Sequence, residues 1–500
     1  EAERPQKDAS ALSTLLQQVQ SNVARGRNSV RPGEPAPGVQ QAFALGSAST
    51  PGSGSAGASG GALEELHRRL EESSASPDAQ KVALGDVLEM LPKLEAARAT
   101  ELFVRVHASE GLRSAEVLDD LLQVLRPAIP KFNSPQLTRV LSTVASWALS
   151  ASGMDESKAA RLSDHVQDFF GASSTELSLR LMDVVPRDLS HIATALSSVG
   201  HVEPRLYGSL ARAAVARSER FTPQEIVALA AAFDRAAFMH TALFEILARC
   251  LRSNVKEVSF RDLLRGARAL AVGGIRDELL GRELGDLLVR RASEGALPPE
   301  EFCSLAWSFV ALGLYHDQMF RAFFRALEDA AVVPGETLCQ LYEIHVTLKA
   351  FRSDLYKKYE LPGDTVQSLR EHYRKQRGGK LREQRLEQSA ERVHRDVAEV
   401  LGKLVADGSV QKQHQTSLGF FVDIAAVSRK TSRTVVFIEV DGPHTLIQSL
   451  DPSGARKSQT YRVRGDVLLK RRVLQQEGFH IVVISEELWR SLDDSRDKRD

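Results

Sequence analysis

The sequence has few cysteines and no long apolar run. Its three cysteines, Cys250, Cys303 and Cys339, provide neither a disulfide framework nor a CxxC pair. Each lies in an apolar helical pattern, where a packed core thiol in a reducing compartment is the expected role. No apolar run approaches the roughly 18 residues that a membrane-spanning helix needs. A disulfide scaffold is therefore excluded, and no membrane span is expected.

The chain also lacks an excess of charge of either sign. Its 65 Lys and Arg residues balance 65 Asp and Glu residues, so the formal net charge is zero. A polyanionic partner must therefore be argued from local clusters of charge rather than from the total. The sequence contains no Walker loop, dinucleotide fingerprint, zinc motif or G-x-S-x-G motif, so these enzyme classes receive no support.

Residues 1–61 are expected to form a tail and a flexible linker. The segment GSASTPGSGSAGASGG (46–61) contains almost only small residues and has no side chains that can build a core. Residues 1–33 carry basic residues, Gln and Ser with few acids, and the chain begins with Glu1 rather than Met. A trimmed organelle-targeting segment would explain this composition, and an artificial start of the chain would explain the first residue.

Residues 62–350 are predicted to form helical repeats. Five segments open alike: PRDLSHIATAL (186–196), PQEIVALAAAF (223–233), FRDLLRGARAL (260–270), PEEFCSLAWSF (299–309) and GETLCQLYEIH (335–345). Their fourth residues follow one another at spacings of 37, 37, 39 and 36. Helix pairs of this length stack into an α-solenoid, here of about six or seven pairs. A generic all-α bundle is the alternative.

A basic connector (351–383) and a small α/β domain (384–495) are predicted to follow. Segments 420–427 and 434–440 are rich in β-formers and predict a hairpin. A basic loop, a helix at 466–477, a strand at 479–485 and a short helix capped by Ser485 come next. The chain is therefore predicted to be mainly α, with a C-terminal α/β domain.

Three motifs in this last region occur in order: FIEVDGPH (437–444), LLKRRVLQQEGFHIVVIS (468–485) and ELW (487–489). They resemble the RAP domain, an RNA-binding domain abundant in apicomplexans and also found in FAST-kinase-like and algal organelle proteins. The resemblance covers 435–492, and helical repeats often precede this domain. It implies RNA binding in a mitochondrion or plastid, acting on transcript processing, stability or translation, or within a mitochondrial ribosome.

The expected fold of the domain is similar to that of PD-(D/E)xK, restriction-endonuclease-like nucleases. Candidate catalytic residues are Asp423, Glu439, Asp441, His444 and Lys470. The three carboxylates can bind Mg²⁺ through oxygen ligands, with Lys470 in place of the missing Glu-x-Lys lysine and His444 as a general acid or base. The alternative is that these acids pair with the cations 470–472. No metal or other cofactor is expected unless the domain cuts RNA, when Mg²⁺ is required.

Two basic clusters are the candidate RNA-binding residues. Between 452 and 472, seven Lys and Arg residues stand against the single acid Asp466, and an interleaved tyrosine offers a ring for base stacking. The candidates are Arg456, Lys457, Tyr461, Arg462, Arg464, Lys470, Arg471 and Arg472, together with Arg374, Lys375, Arg377 and Lys380 from the connector.

The sequence therefore predicts an organellar RNA-binding protein, as a component of the mitochondrial ribosome or an assembly factor for it. Its expected partners are organellar rRNA or mRNA and other proteins of a ribonucleoprotein assembly. The mitochondrion is the expected location, with a plastid-type organelle as the alternative. The competing functions are a Mg²⁺-dependent endoribonuclease for organellar RNA processing and a protein-binding scaffold.

Overall fold

The computed structural model describes residues 64–492, apart from gaps at 67, 70–76, 110–111, 151–155, 295–296, 329–334, 385–387, 405–407, 429–433, 443 and 451–459. The tail and linker expected at 1–61 lie outside these residues. The described chain divides into two compact units, one holding residues up to Ile246 and one holding Leu247–Ser449 and residues 460–492. The protein is mainly helical, with a small strand-containing region near the C terminus.

Short turns join the helices along most of the described chain. In chain order they are α1 (Pro77–Met90), α2 (Ala96–Ala108), α3 (Ala115–Leu125), α4 (Ser134–Ser150), α5 (Glu156–Ser178), α6 (Pro186–Ser198), α7 (Pro204–Val215), α8 (Pro223–Arg235), α9 (Thr241–Ser253), α10 (Phe260–Gly273), α11 (Glu278–Ser293), α12 (Pro299–Leu312), α13 (Asp317–Glu328), α14 (Gly335–Phe351), α15 (Ser353–Tyr356), α16 (Gly363–Gln384) and α17 (Gln388–Leu404). Short 3-10 helices span Leu91–Lys93, Arg126–Lys131 and Ser218–Arg220, and a two-residue strand, β1, spans Phe238–Met239.

The five predicted repeat starts are confirmed as helix starts, because α6, α8, α10, α12 and α14 begin at the first residues of the aligned segments. Local capping explains these starts. Thr222 forms a capping box with Glu225 at α8, and Ser259 accepts a hydrogen bond from the backbone of Asp262 at α10. A proline in the first turn of α6, α8 and α12 loses no helical hydrogen bond.

Equivalent helices of successive repeats pack side by side. In the first unit α6 lies between α4 and α8, and in the second unit α10, α12, α14 and α16 are neighbours in chain order. Trp147 and Trp307 are buried on α4 and α12. Cys303 and Cys339 are buried as well, whereas Cys250 is half-buried. Among the helices in the described ranges, none has the length and apolarity needed to cross a membrane.

The second unit ends in a four-stranded sheet of order β2-β3-β4-β7. Its strands are β2 (Gly408–Gln415), β3 (Phe421–Ser428), β4 (Thr434–Asp441) and β7 (Ile481–Ser485). The predicted hairpin is confirmed, since β3 and β4 pair antiparallel with Ile424 opposite Ile438. Strand β7 pairs parallel with β4, and the chain reaches it through helix α18 (Gly465–Gln476) and leaves it through α19 (Glu486–Ser491).

Besides the two-residue β1, three strands of the terminal region were not predicted. The sequence of β2, GSVQKQHQ, is mostly polar. Strand β2 lies at the edge of the sheet, where one of its two sides has no neighbouring strand, and polar residues are typical of such an edge strand. Strands β5 (Leu446–Ser449) and β6 (Thr460–Val463) form a small antiparallel pair. The segment predicted as a basic loop therefore contains strand β6.

The core of the terminal sheet contains Ile424, Ile438 and Val440 from β3 and β4, packed against Val393 and Val397 of α17. Trp489 of the last helix belongs to the same core. Phe420, just before β3, is buried and meets Tyr373 edge to face. Apolar residues of the predicted strands thus serve packing.

Helix α18 connects the sheet to the repeats of the same unit. It packs against α10, α12 and α14. At its start the chain approaches α10 so closely that a Cβ atom on Gly465 would lie 1.8 Å from the carbonyl oxygen of Ala271. Only glycine fits at such a contact. This helix also carries Lys470, Arg471 and Arg472, so its packing decides what these cations can reach.

Candidate nucleic-acid interface

Two acids and a lysine meet beneath the terminal sheet. Asp423 and Glu439 lie on adjacent strands, one residue beyond the pair formed by Ile424 and Ile438. Lys470 reaches them from α18, with its Nζ atom 2.8 and 2.7 Å from the two carboxylate oxygens of Glu439. The same Nζ atom donates to the carbonyl oxygen of Phe421 at 3.1 Å. Three of the candidate catalytic residues are therefore brought together.

The pKa values of the two carboxyl groups of this cluster shift in opposite directions. Burial raises the pKa of Asp423, but the hydrogen bond from His394, the charge of Lys470 and the backbone N–H of Val440 outweigh it and lower the pKa to about 2. For Glu439 burial is the largest effect and raises the pKa, although Lys470 opposes it. Asp423 is thus the firmly ionised member, and Glu439 is only 1% exposed.

The third acid belongs to a separate ion pair. Arg471 donates from Nη1 and Nη2 to the two carboxylate oxygens of Asp441, at 3.2 and 2.5 Å. The hydroxyl of Thr445 also donates to Asp441, at 3.0 Å, and it accepts the backbone N–H of Gly442 at 3.0 Å. Asp441 therefore fixes the turn after β4. His444 is exposed in this turn.

These carboxylates do not fit a divalent cation as they stand. Both oxygens of Glu439 accept from Lys470, and one oxygen of Asp423 accepts the backbone N–H of Val440 at 2.8 Å while the other lies 3.5 Å from Nε2 of His394. Within the described part of the chain, no three His, Cys, Asp or Glu residues are grouped to hold a metal. The arrangement matches the alternative in which the acids pair with the cations of α18.

The three cations of α18 were expected to face RNA, but in the structure they make internal contacts. Lys470 and Arg471 are occupied by Glu439 and Asp441, and Arg471 is only 7% exposed. Arg472 donates from Nη2 to the carbonyl oxygens of Val310 and Ala311 at 2.9 and 2.6 Å. These carbonyls end helix α12, where the helix dipole favours a cation.

Helix α16 presents the other basic cluster. Arg374 and Lys375 are exposed, and Arg370 is half-buried one turn before Arg374. The side-chain stems of Arg370 and Arg374 lie against Gly419 in the turn between β2 and β3, at 3.2 and 3.6 Å from the position of a Cβ atom there. We call Arg370, Arg374 and Lys375 the α16 patch.

Arg377 has a different environment. Its Nη2 atom lies 3.5 Å from Glu343 and 3.3 Å from Glu336, so it is tied to α14. Glu343 itself is buried and accepts a hydrogen bond from Nε1 of Trp307 at 2.5 Å. Arg377 was expected to face RNA, but it joins helices α16 and α14 instead. The side chain of Lys380 lies outside the described residues.

The remaining candidates lie before α18. Tyr461 and Arg462 of β6 are exposed, and Arg464 is half-buried with its Nε atom 3.2 Å from Asp466. Arg456 and Lys457 lie outside the described residues. Among the described candidates, the exposed ones are therefore Tyr461 and Arg462 on β6 and Arg374 and Lys375 in the α16 patch.

Two features of the site were missed by the sequence analysis. Nε2 of His394, on α17, lies 3.5 Å from a carboxylate oxygen of Asp423. The hydroxyl of Tyr342, on α14, donates a hydrogen bond to the carbonyl oxygen of Leu418 at 2.5 Å. Burial raises the pKa of Tyr342 to about 12, although Arg370 and Arg374 oppose the shift. No signal in the spacing of these residues connects positions 342 and 394 to the terminal strands.

No protein-family model matches the chain, and no curated protein matches it either.

Proposed function

We propose that the protein binds RNA, with the α16 patch and the exposed residues of β6 as the interface. The observation that carries this proposal is the division of the basic residues into two groups. One group forms internal ion pairs and helix caps, whereas the side chains of Arg374, Lys375 and Arg462 are exposed, and the exposed ring of Tyr461 directly precedes Arg462 in the sequence. Exposed cations supply phosphate contacts, and an exposed ring adds sequence-tolerant stacking.

The finer fold is part of the same proposal. The helical repeats form an α-solenoid, which the side-by-side packing of α10, α12, α14 and α16 supports. The terminal sheet is a restriction-endonuclease-like fold kept for RNA binding. Its support is the placement of Asp423 and Glu439 on adjacent strands, with their oxygens engaged by Lys470, His394 and backbone rather than open to solvent.

The biological setting is proposed on the RAP resemblance of residues 435–492 alone. The protein is a component of the mitochondrial ribosome or an assembly factor for it, binding organellar rRNA or mRNA beside other proteins. Sedimentation of the native particle with and without ribonuclease tests this setting. A heavy particle that ribonuclease converts to a light one supports it, and a light particle in both samples contradicts it.

The double substitution Arg374→Gln/Lys375→Gln is expected to weaken RNA binding and its salt dependence. Each lost phosphate contact on a single strand lowers the steepness of log K against log salt by about 0.7, so the double variant should lose about 1.4. The measurement is the affinity of the full chain for a single-stranded RNA at salt concentrations between about 50 and 200 mM.

The matched control is Lys357→Gln/Lys358→Gln, which removes the same charge from two exposed neighbouring residues after α15. An equal loss in both variants would show that total charge rather than the α16 patch decides binding. If the wild type does not bind RNA at all, the scaffold function is favoured. If it cuts RNA only with Mg²⁺ and Asp423→Asn stops the cutting but not binding, the endoribonuclease is favoured.

A further inference from the structure

Three successive turns of the helical repeats come together in the second unit. They follow α10, α12 and α14, and the first two contain a glycine in the left-handed conformation, Gly274 and Gly313. Arg276 and Tyr315 occupy the same place in these two turns, since they are separated by the 39 residues that also separate Leu263 from Phe302. The repeat therefore stacks corresponding turn residues above one another.

A cavity of about 350 Å³ lies at these turns. We call it the turn pocket. Its lining includes Arg276, Arg282, Tyr315, His316 and Arg352. The lining contains three arginines against one carboxylate, that of Glu278. A cavity of this size is at the lower end of the range for small-molecule sites, about 300–1,000 Å³.

Carboxylates lie beside several of these cations. Glu278 pairs with Arg276 at 3.0 Å, and both side chains are more than half exposed, so this pair is worth little and is easily exchanged. Arg352 pairs with Asp317 and Asp354 at 2.8 and 2.9 Å.

Two more lining residues complete the charge inventory. His316 lies 3.1 Å from Asp286 through Nε2, while its Nδ1 atom accepts the backbone N–H of Met319 at 3.2 Å. Arg282 is exposed on α11, and among the described residues it has no ion-pair or hydrogen-bond partner. At least one guanidinium at the pocket is therefore uncommitted.

Helix α18 adds a further cation at the wall of the turn pocket. Arg472 and Arg276 both approach Gly313, with guanidinium nitrogens 2.8 and 3.7 Å from the position that a Cβ atom would take there. Burial, together with the charge of Arg276, lowers the pKa of Arg472. The Nε atom of Arg472 is buried and has no acceptor among the described residues. Two guanidinium groups this close repel each other unless an anion lies near them.

The phenol of Tyr315 lies close enough to these arginines to be affected by their charges. Burial raises its pKa, and the charges of Arg472, Arg352 and Arg276 all oppose that shift. The carbon atom at the centre of the Arg352 guanidinium also lies 5.9 Å from the centre of the Tyr315 ring. The charges of three guanidinium groups therefore act on this one phenol.

We propose that the turn pocket binds a phosphate group through Arg276, Arg282 and Tyr315. Guanidinium groups donate paired hydrogen bonds to phosphate oxygens, and several of them converging on one cavity suit a group with more than one negative oxygen. The phosphate comes either from a free nucleotide or from RNA. This site is separate from the α16 patch and does not rest on the proposed RNA-binding function.

Thermal unfolding and calorimetric titration of the full chain with inorganic phosphate test the proposal. Phosphate should raise the unfolding temperature above the value in potassium chloride of equal ionic strength, because a ligand that binds only the folded state stabilises it. Arg282→Gln, which breaks no internal contact, should weaken phosphate binding about tenfold, as should Arg276→Gln. Arg321→Gln, an exposed arginine on α13 outside the pocket, is the matched control and should bind as the wild type does.

Competition then separates the two sources. A ribonucleoside 5′-monophosphate that displaces inorganic phosphate identifies a nucleotide site, and a short RNA without terminal phosphates that displaces it identifies backbone binding. If neither competes, the pocket holds an adventitious ion only and the proposal fails. It also fails if phosphate has no effect beyond ionic strength, or if Arg282→Gln binds like the wild type. The α16 variant Arg374→Gln/Lys375→Gln should keep phosphate binding, whatever its RNA affinity.

Discussion

Arg471→Met is expected to destabilise the protein by about 3–5 kcal/mol, because it leaves the buried carboxylate of Asp441 without its cation. Both side chains are only 9% exposed, and two hydrogen bonds join them. The hydroxyl of Thr445 remains as a donor, but a neutral donor does not balance a buried charge. Chemical denaturation of the wild type and the variant, followed by circular dichroism, measures the difference in the free energy of unfolding.

A double variant and a surface control make this prediction specific. Asp441→Asn/Arg471→Met removes both charges and should recover most of the loss, since replacing a whole buried pair is often close to neutral. Arg490→Met breaks a more exposed ion pair with Glu486 and should cost about 0–1 kcal/mol. Equal losses for Arg471→Met and Arg490→Met would show that the Asp441 pair is not buried in solution.

Gly465→Ala is expected to be the second most damaging substitution. The added Cβ atom would lie 1.8 Å from the carbonyl oxygen of Ala271 and 2.8 Å from its carbonyl carbon, and these are backbone atoms that no rotamer change can move. Helix α18 must therefore shift away from α10. Overpacking of this kind costs about 1–3 kcal/mol and occasionally more, and we expect the upper end because backbone meets backbone.

Gly402→Ala is the matched control for this substitution. Gly402 lies in helix α17, and nothing lies within 4 Å of the position of its added Cβ atom. Alanine should stabilise that helix by roughly 0.5–1 kcal/mol, because glycine loses more backbone entropy on folding. Opposite signs for the two substitutions, measured by thermal unfolding, are the expected result. If Gly465→Ala also stabilises the protein, α18 does not pack against α10 in solution.

Gly465 and Arg471 lie on the same helix, α18, and their effects are linked. Gly465 sets how closely α18 approaches the repeats, whereas Lys470, Arg471 and Arg472 are the side chains that its position directs inward. Loosening the start of α18 should therefore also weaken the ion pairs of Glu439 and Asp441. In a double-mutant cycle, Gly465→Ala and Arg471→Met should cost less together than the sum of their separate effects.

The sequence predicted the repeat helices and the central hairpin well. Helix starts such as Pro223 and Phe260 depend on caps and apolar spacing within a few residues, and those signals are local. The hairpin of β3 and β4 follows from two short runs of β-formers separated by a polar turn. Strand β2 was missed because its polar residues lack the alternation that marks a half-buried strand.

The sequence predicted which residues form the candidate site, but not which of them pair with one another. The sequence identified Asp423, Glu439 and Lys470 as belonging together, and the structure brings them together, although as an ion-paired cluster. It did not identify the role of Arg472, whose acceptors lie about 160 residues earlier at the end of α12. A charge run in a sequence shows that cations are present but not which of them already have a partner.

The amino-acid sequence by itself determined where the repeat helices begin, which strands form the hairpin and how many cations the terminal region carries. Each of these depends on residues close together in the chain. Only the tertiary structure decided which cations face inward, why position 465 requires glycine, and that Arg276, Tyr315 and Arg352 share one pocket. Those outcomes depend on distances of a few ångströms between atoms far apart in sequence, which are set only when the helices pack.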